Sequence, residues 1–409
     1  MTVVKTLEND ILIKQAKKFG TPLYIYDADL ILTRYKELYE FIKWPKMRIY
    51  YALKANYNIG ILKMLAENKA FIETVSPSEI KLALSVGFPK EKILYTANNI
   101  TDEEMNEVKK TEVLFNIGSI SRLEKYGKAF PDTEICLRFN TDVVAGFHKK
   151  VQTGGDLTKF GILMQDVALV KEIVSKYNLK VVGLHVHTGS GILKTEKVYL
   201  SMKNLLDVAK KDDFADLEFI DFGGGFKVPY EPSEKRINYP RFGEDITHIF
   251  SEFCKNYGKD LTMCFEPGKY LVAEAGYLVV QVNTMKNNRG RLIAGTDSGF
   301  PQLIRPMFYD AYHHILNISN PSGELYKYDI CGNICETGDC FASRRELPEI
   351  REGDYLAIQN AGAYCYSMGG IYNLRPMPSE ILLADKKVIH INKKLSNEEL
   401  VKILLNRSP

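Results

Sequence analysis

The sequence has no apolar run of membrane-spanning length. Its start, MTVVKTLENDILIKQAKKFG, lacks the apolar core of a secretory signal. It also lacks a disulfide framework: the seven cysteines, an odd number scattered from Cys136 to Cys365, do not form one. Neither sign of charge is in excess. Lys and Arg total 54 against 51 Asp and Glu, and the net +3 advertises no nucleic-acid or membrane surface. No internal repeat, proline-rich linker or charge block stands out. What remains is ordinary globular material: 409 residues, 45% hydrophobic and 26% charged, able to bury a sizeable core and too apolar for disorder. A soluble, reduced, cytoplasmic protein is therefore expected, with any ligand to be argued from local sites.

Eight short apolar runs recur with helical stretches between them. They are RIYYAL (48–53), AFIETV (70–75), ILYTA (93–97), VLFNI (113–117), EICLRF (134–139), VVGLHVH (181–187), LEFIDF (217–222) and LTMCFE (261–266). Segments such as PSEIKLALSVG and TDEEMNEVKK have helical spacing and polar starts at Ser78 and Thr101. Eight such alternations over roughly 220 residues suit a (β/α)8 barrel, although a doubly wound sheet alternates in the same way. After about residue 285 the runs become short, β-rich and bordered by Gly, Asn and Asp. This predicts a β-sandwich or β-barrel-like domain over 286–409 that also takes in residues 1–29, packed on a barrel over 30–285. The tail SNEELVKILLNR, with Ser396 and Glu399 three apart, predicts a closing helix.

Barrel chemistry sits beyond the C-terminal strand ends. Lys54, Ser76, Asn98, Arg138, His187, Gly223 and Glu266 all follow a strand candidate there. Lys54, in YYALKANYN, ends an apolar strand, where desolvation favours the free amine needed to bond a carbonyl cofactor; an ordinary solvated lysine is the alternative. FGGGF (222–226) and FEPGKY (265–270) follow the seventh and eighth strands, where exposed backbone N–H groups suit a phosphate, and HTGSG (187–191) adds Ser190. A tight turn is the bland reading of the triplet. His185 and His187 share one strand face, but the other histidines supply no further ligands, so no metal is expected. Cys331, Cys335 and Cys340 lack the paired spacing of a zinc site; Cys335 and Glu336 read better as a thiol and a carboxylate presented on one turn. Arg305 and Tyr309 are four apart, on one face if helical, and an arginine there suits a carboxylate.

YYALKAN, TGG…KFGI, GLHVHTGSG, DFGGGF, FEPGKYLV, RPMFYDAYH, CGNICETGDCF and NAGAYCYSM, in that order along the chain, resemble the diaminopimelate decarboxylases. These are pyridoxal-phosphate enzymes of the alanine-racemase-like class, with a barrel plus a β-domain. The resemblance implies decarboxylation of meso-diaminopimelate to L-lysine, with a sister decarboxylase acting on another amino acid as the alternative. It implies that Lys54 holds the cofactor and His187 stacks on its ring. Glu266 would bond the ring nitrogen, while Ser190, Gly224, Gly225, Gly268 and Tyr364 would cradle the phosphate. Cys335 would protonate the former α-carbon. Arg305, Tyr309 and Glu336 would hold the far end of the substrate, with Lys269 and Tyr364 also contacting it. In the family the Cys–Glu turn enters from the partner subunit, which implies a homodimer with shared sites. Lys269 stands where most members have an arginine, Thr337 replaces a serine, Ser76-Pro77-Ser78 replaces a glycine-rich turn, and Gly369, Gly370 and Ile371 depart from the usual polar pattern.

Overall fold

The computed structural model describes residues 7–406, apart from 145, 147–153, 156–157 and 192–193. Thr153 of the TGG motif therefore lies outside the described residues. The strands are β1 (Leu23–Asp27), β2 (Met47–Ala52), β3 (Phe71–Thr74), β4 (Ile93–Tyr95), β5 (Leu114–Ile117), β6 (Glu134–Asn140), β7 (Ile162–Leu163), β8 (Lys180–His185), β9 (Phe219–Asp221) and β10 (Thr262–Phe265). They continue with β11 (Gly276–Asn288), β12 (Arg291–Thr296), β13 (Ile315–Asn317), β14 (Leu325–Cys331), β15 (Cys340–Pro348), β16 (Tyr355–Ile358), β17 (Ser379–Ala384) and β18 (Lys387–Asn392).

Strands β2, β3, β4, β5, β6, β8, β9 and β10 pair in parallel in that order. The sheet closes where β10 pairs with β2, Met263 opposite Met47 and Phe265 opposite Ile49. Closure selects the barrel over the open sheet, and all eight expected strands are its staves. Tyr50, Leu94, Cys136, Val182, Phe219 and Cys264, one from each of six staves, form a small buried cluster of their own. Residues on the opposite strand faces join the larger core beneath the surrounding helices. Gly183 on β8 leaves room for this cluster: a Cβ there would lie 2.1 Å from the Phe219 ring. Among the described residues, no helix is long and apolar enough to cross a membrane.

The second sheet runs β15-β14-β12-β11-β1-β17-β18, with β16 also paired to β11 and β13 to β16. The N-terminal strand β1 is buried throughout and sits in its middle, antiparallel to β11 and parallel to β17. The closing helix Asn397–Leu405 carries a complete Ser396–Glu399 capping box.

A segment of the second unit lies directly on the turn that follows β2. Asn56 Nδ2 donates to the Gly362 carbonyl at 2.9 Å, Tyr364 N–H donates to the Ala55 carbonyl at 2.8 Å, and Ser367 Oγ donates to the same carbonyl at 3.0 Å. The same segment also packs on the helix Lys269–Val272 after β10, where a Cβ at Gly362 would stand 1.7 Å from the Val272 carbonyl oxygen. Gly362→Ala is expected to destabilise the protein by roughly 1–3 kcal/mol through overpacking, read as a lowered urea midpoint.

Candidate active site

Register sets the site before any side chain is considered. Arg138 on β6 lies opposite His185 on β8, and His185 lies opposite Asp221 on β9. These three residues form a row across adjacent stave ends. Glu266 follows β10, and its Oε2 accepts from His185 Nε2 at 3.1 Å. Ligand-capable atoms of His185, Asp221 and Glu266 all lie within 4.8 Å of one another, and all three residues are buried. Lys54 occupies a single 3-10 turn, Leu53–Ala55, at the end of β2. Its ammonium donates to both oxygens of Glu73 on β3, at 2.8 and 2.7 Å.

The glycine turns bring backbone to the same place. Gly223 N–H donates to Asp221 Oδ1 at 2.8 Å, and Gly224 N–H donates to His187 Nδ1 at 3.0 Å. Gly223 takes φ of 70° and Gly225 of 101°, conformations that favour glycine. A Cβ at Gly268 would come within 2.8 Å of the Ala55 side chain and 3.2 Å of the Tyr364 hydroxyl. One pocket is lined by Lys54, His187, Ser190, Gly225, Glu266, Gly268, Lys269 and Tyr364. A second, of about 460 Å³, is lined by Lys269, Arg305 and Tyr309, together with Tyr230, Glu231 and Glu234. Lys269 is shared by both. Cys335 and Glu336 are exposed and line neither pocket: Cys335 Sγ contacts Asn373 Oδ1 at 3.3 Å, and Glu336 accepts from the Tyr372 hydroxyl at 2.8 Å. Ser76 has a structural task, capping the helix Pro77–Ser85.

The electrostatics divide the site into charged and neutral members. Burial works against charge on Glu266, but the His185 contact and the Lys54 ammonium outweigh it and hold the carboxyl low. Burial, with Glu266 beside it, pushes Asp221 well above the carboxylate range. Burial and then the Arg138 charge push His187 down to about 3, so its ring is neutral. Burial pushes Glu73 up to about 7 against the pull of Lys54. Lys54 departs from the expectation of a free amine: burial alone would favour that form, but Glu73 prevails and holds its pKa above the ordinary value. Lys269 is pushed well below its ordinary value by burial and by Arg305.

These donors fit pyridoxal phosphate. Glu266 Oε1 is buried with no protein partner, an open acceptor in a pocket shared with the neutral His187 ring, Lys54, Gly225 and Gly268. Residues 29–273 match the family model described as pyridoxal-dependent decarboxylase, pyridoxal binding domain. The chain is 40% identical to a diaminopimelate decarboxylase of Methanothermobacter thermautotrophicus, covering 95% of this chain and 93% of that one. Against the Aquifex aeolicus enzyme of the same name it is 33% identical, over 94% and 92%. The crystal structure of diaminopimelate decarboxylase from Helicobacter pylori complexed with L-lysine superimposes with a TM-score of 0.88 at 31% identity, covering 97% of this chain and 99% of that one.

The chain belongs to the diaminopimelate decarboxylase family.

Within this family member, several groups at the site were not singled out from the sequence. Glu73 had one signal, a carboxylate at the end of an otherwise apolar strand. Tyr230 had none, and His313 had only its place at the end of RPMFYDAYH. Arg305 is buried, stacked over the rings of Tyr230 at 5.0 Å and Tyr309 at 5.7 Å. Its Nε donates to His313 Nε2 at 3.3 Å, while His313 Nδ1 donates to the Gln359 carbonyl at 2.8 Å. This arrangement needs a neutral imidazole, and burial with the Arg305 charge brings His313 down to about 3.

His313→Phe leaves Arg305 Nε without that acceptor. It is expected to raise KM about tenfold or more with little change in kcat, the cost of a hydrogen bond to a charged group. It also changes acid sensitivity. With a folded pKa near 3 and an unfolded value near 6.5, the unfolded chain binds more protons in between, so stability falls as pH drops through that window. Urea unfolding at pH 7 and pH 5 should show a smaller loss in His313→Phe than in the wild type.

Proposed function

We propose that this barrel mouth decarboxylates meso-diaminopimelate to L-lysine and CO2, with the residue roles that follow. The observation that carries the reading is the sharing of Lys269 between two pockets. One offers an amine, an anionic carboxylate and a neutral ring; the other, walled by Arg305, suits a second carboxylate. A substrate with an amino-acid group at each end spans both.

When bound, pyridoxal phosphate supplies an electron-withdrawing ring that accepts the electron pair left as the carboxylate departs. Lys54 is the amine that would hold the cofactor's aldehyde carbon. Its Nζ must first shed a proton, and Glu73, raised to about 7 and 2.7 Å away, is the base placed to take it. Glu266 Oε1 would face the ring nitrogen and keep it protonated, and His187 would cover one ring face. Ser190, Gly224, Gly225, Gly268 and the Tyr364 hydroxyl would surround the phosphate. Arg305 and Tyr309 would grip the far carboxylate, and Tyr364 would also touch the substrate. Burial and then the Arg305 charge keep Lys269 low; a carboxylate arriving beside it would offset both, so binding and ammonium formation reinforce each other.

The Cys335–Glu336 turn acts in the neighbouring subunit of a homodimer. Its exposure and its absence from the lining of both pockets in its own chain support this reading. Across that interface the Cys335 thiol would deliver a proton to the former α-carbon, and Glu336 would face the far ammonium. Seven free thiols accord with residence in the cytoplasm.

Holoenzyme incubated with a panel of amino acids should release CO2 and form lysine from meso-diaminopimelate. Turnover of another amino acid alone would overturn the substrate. Lys54→Ala should lose the cofactor's visible absorbance and all activity. Cys335→Ala should lose about 10²–10⁴-fold in rate. Mixing the two inactive variants should restore part of the activity through hybrid dimers; a mixture as dead as its components would contradict shared sites.

A further inference from the structure

The base of the Cys335 turn holds a pair of thiols that decarboxylation does not use. Cys331 ends β14 and Cys340 opens β15, opposite each other in antiparallel register. Their sulfurs are 3.9 Å apart. Gly332 N–H donates to the Asp339 carbonyl at 3.0 Å on one side of the pair, and the register slips between Ile330 and Cys331 on the other. Facing residues of antiparallel strands stand about 4.5–5.5 Å apart at Cα, within the span a disulfide bridges, about 4.4–6.8 Å. From 3.9 Å, side-chain rotation is the main movement that bonding the two sulfurs requires.

The rest of the cysteine set is arranged differently. Cys136, Cys254, Cys264 and Cys365 are buried, and Cys335 is exposed at the tip of the turn; Cys331 and Cys340 are both half-buried free thiols. The Cys331 S–H lies against Cys340 Sγ, and this contact outweighs burial to bring Cys340 down to about 7, towards the thiolate. The turn between them is already fastened at one point. Asp339 accepts from Phe300 N–H at 2.6 Å and from Ile334 N–H at 2.8 Å.

We propose that Cys331 and Cys340 form a redox modification site, oxidised by peroxides to a cross-strand disulfide that staples the base of the turn carrying Cys335 and Glu336. The Cys340 thiolate attacks one peroxide oxygen, the O–O bond breaks, and hydroxide leaves with the thiol's former proton as water. The product is a sulfenic acid on Cys340. Cys331 Sγ then displaces the sulfenic oxygen, which departs as a second water carrying the Cys331 proton. Two thiols and one hydrogen peroxide become one disulfide and two waters, two electrons passing from sulfur to oxygen. The staple removes freedom from a turn that must seat its thiol and carboxylate at the neighbouring site, so oxidation slows turnover reversibly.

The test treats holoenzyme with a small excess of hydrogen peroxide, blocks remaining thiols with iodoacetamide and maps the peptides by mass. The expected product is a Cys331–Cys340 cross-link that lacks two hydrogens, disappears on reduction with dithiothreitol and is absent from Cys331→Ser and Cys340→Ser. Activity should fall with cross-link formation in the wild type and return on reduction. Both serine variants, checked by circular dichroism for folding, should keep at least half the wild-type rate before oxidation and resist that reversible loss. Two outcomes overturn the proposal: Cys331 and Cys340 both remaining alkylatable after oxidation, or either one joined to Cys335 instead.

Discussion

Closing the parallel sheet through β10 on β2 crowds the half-buried Lys54 and the buried Glu73, Arg138 and Glu266 into one barrel mouth, where a buried charge is costly alone. Each survives through a neighbour. Glu73 holds the Lys54 ammonium, His185 donates to Glu266, and Asp221, too close to Glu266 to ionise with it, is driven towards its protonated form. The strand register makes this possible, because Arg138, His185 and Asp221 are fixed side by side by backbone pairing. The chemistry at the mouth is a consequence of how charge is compensated there.

The second sheet completes the arrangement rather than merely covering it. Its segment around Gly362 and Tyr364 is hydrogen-bonded to the turn that carries Lys54, so a shift in one unit moves the other. Arg305 comes from the same unit and lines the far pocket over the Tyr230 ring, and His313, held by the Gln359 carbonyl, supports it from behind. Both pockets are thus lined by residues of both units, and they meet at Lys269.

The barrel was legible because each stave is an apolar run long enough to recognise and each is followed by a polar turn. Its closure was not, since the β10–β2 pairing joins segments more than two hundred residues apart and leaves no local trace. N-terminal β1 in the middle of the second sheet was only half-suggested by its sequence, for the same reason. At the site, glycine turns and the strand-end Lys54 announced themselves. Glu73 and His313 did not, because a carboxylate in an apolar strand and a histidine among aromatics acquire meaning only from the partner the fold supplies. Lys54 shows the reverse error: desolvation read alone gave the free amine, and the unseen Glu73 reversed the sign.

The central claim is that a compensated buried carboxylate, Glu266, lends its negative charge to the reaction. Glu266→Gln keeps the shape and an acceptor oxygen but removes that charge. The decisive measurement is kcat for meso-diaminopimelate in this variant, with the visible absorbance of the reconstituted holoenzyme recorded alongside. The account predicts retained absorbance and a kcat lowered about a hundredfold or more. An unchanged kcat in fully reconstituted Glu266→Gln would contradict it.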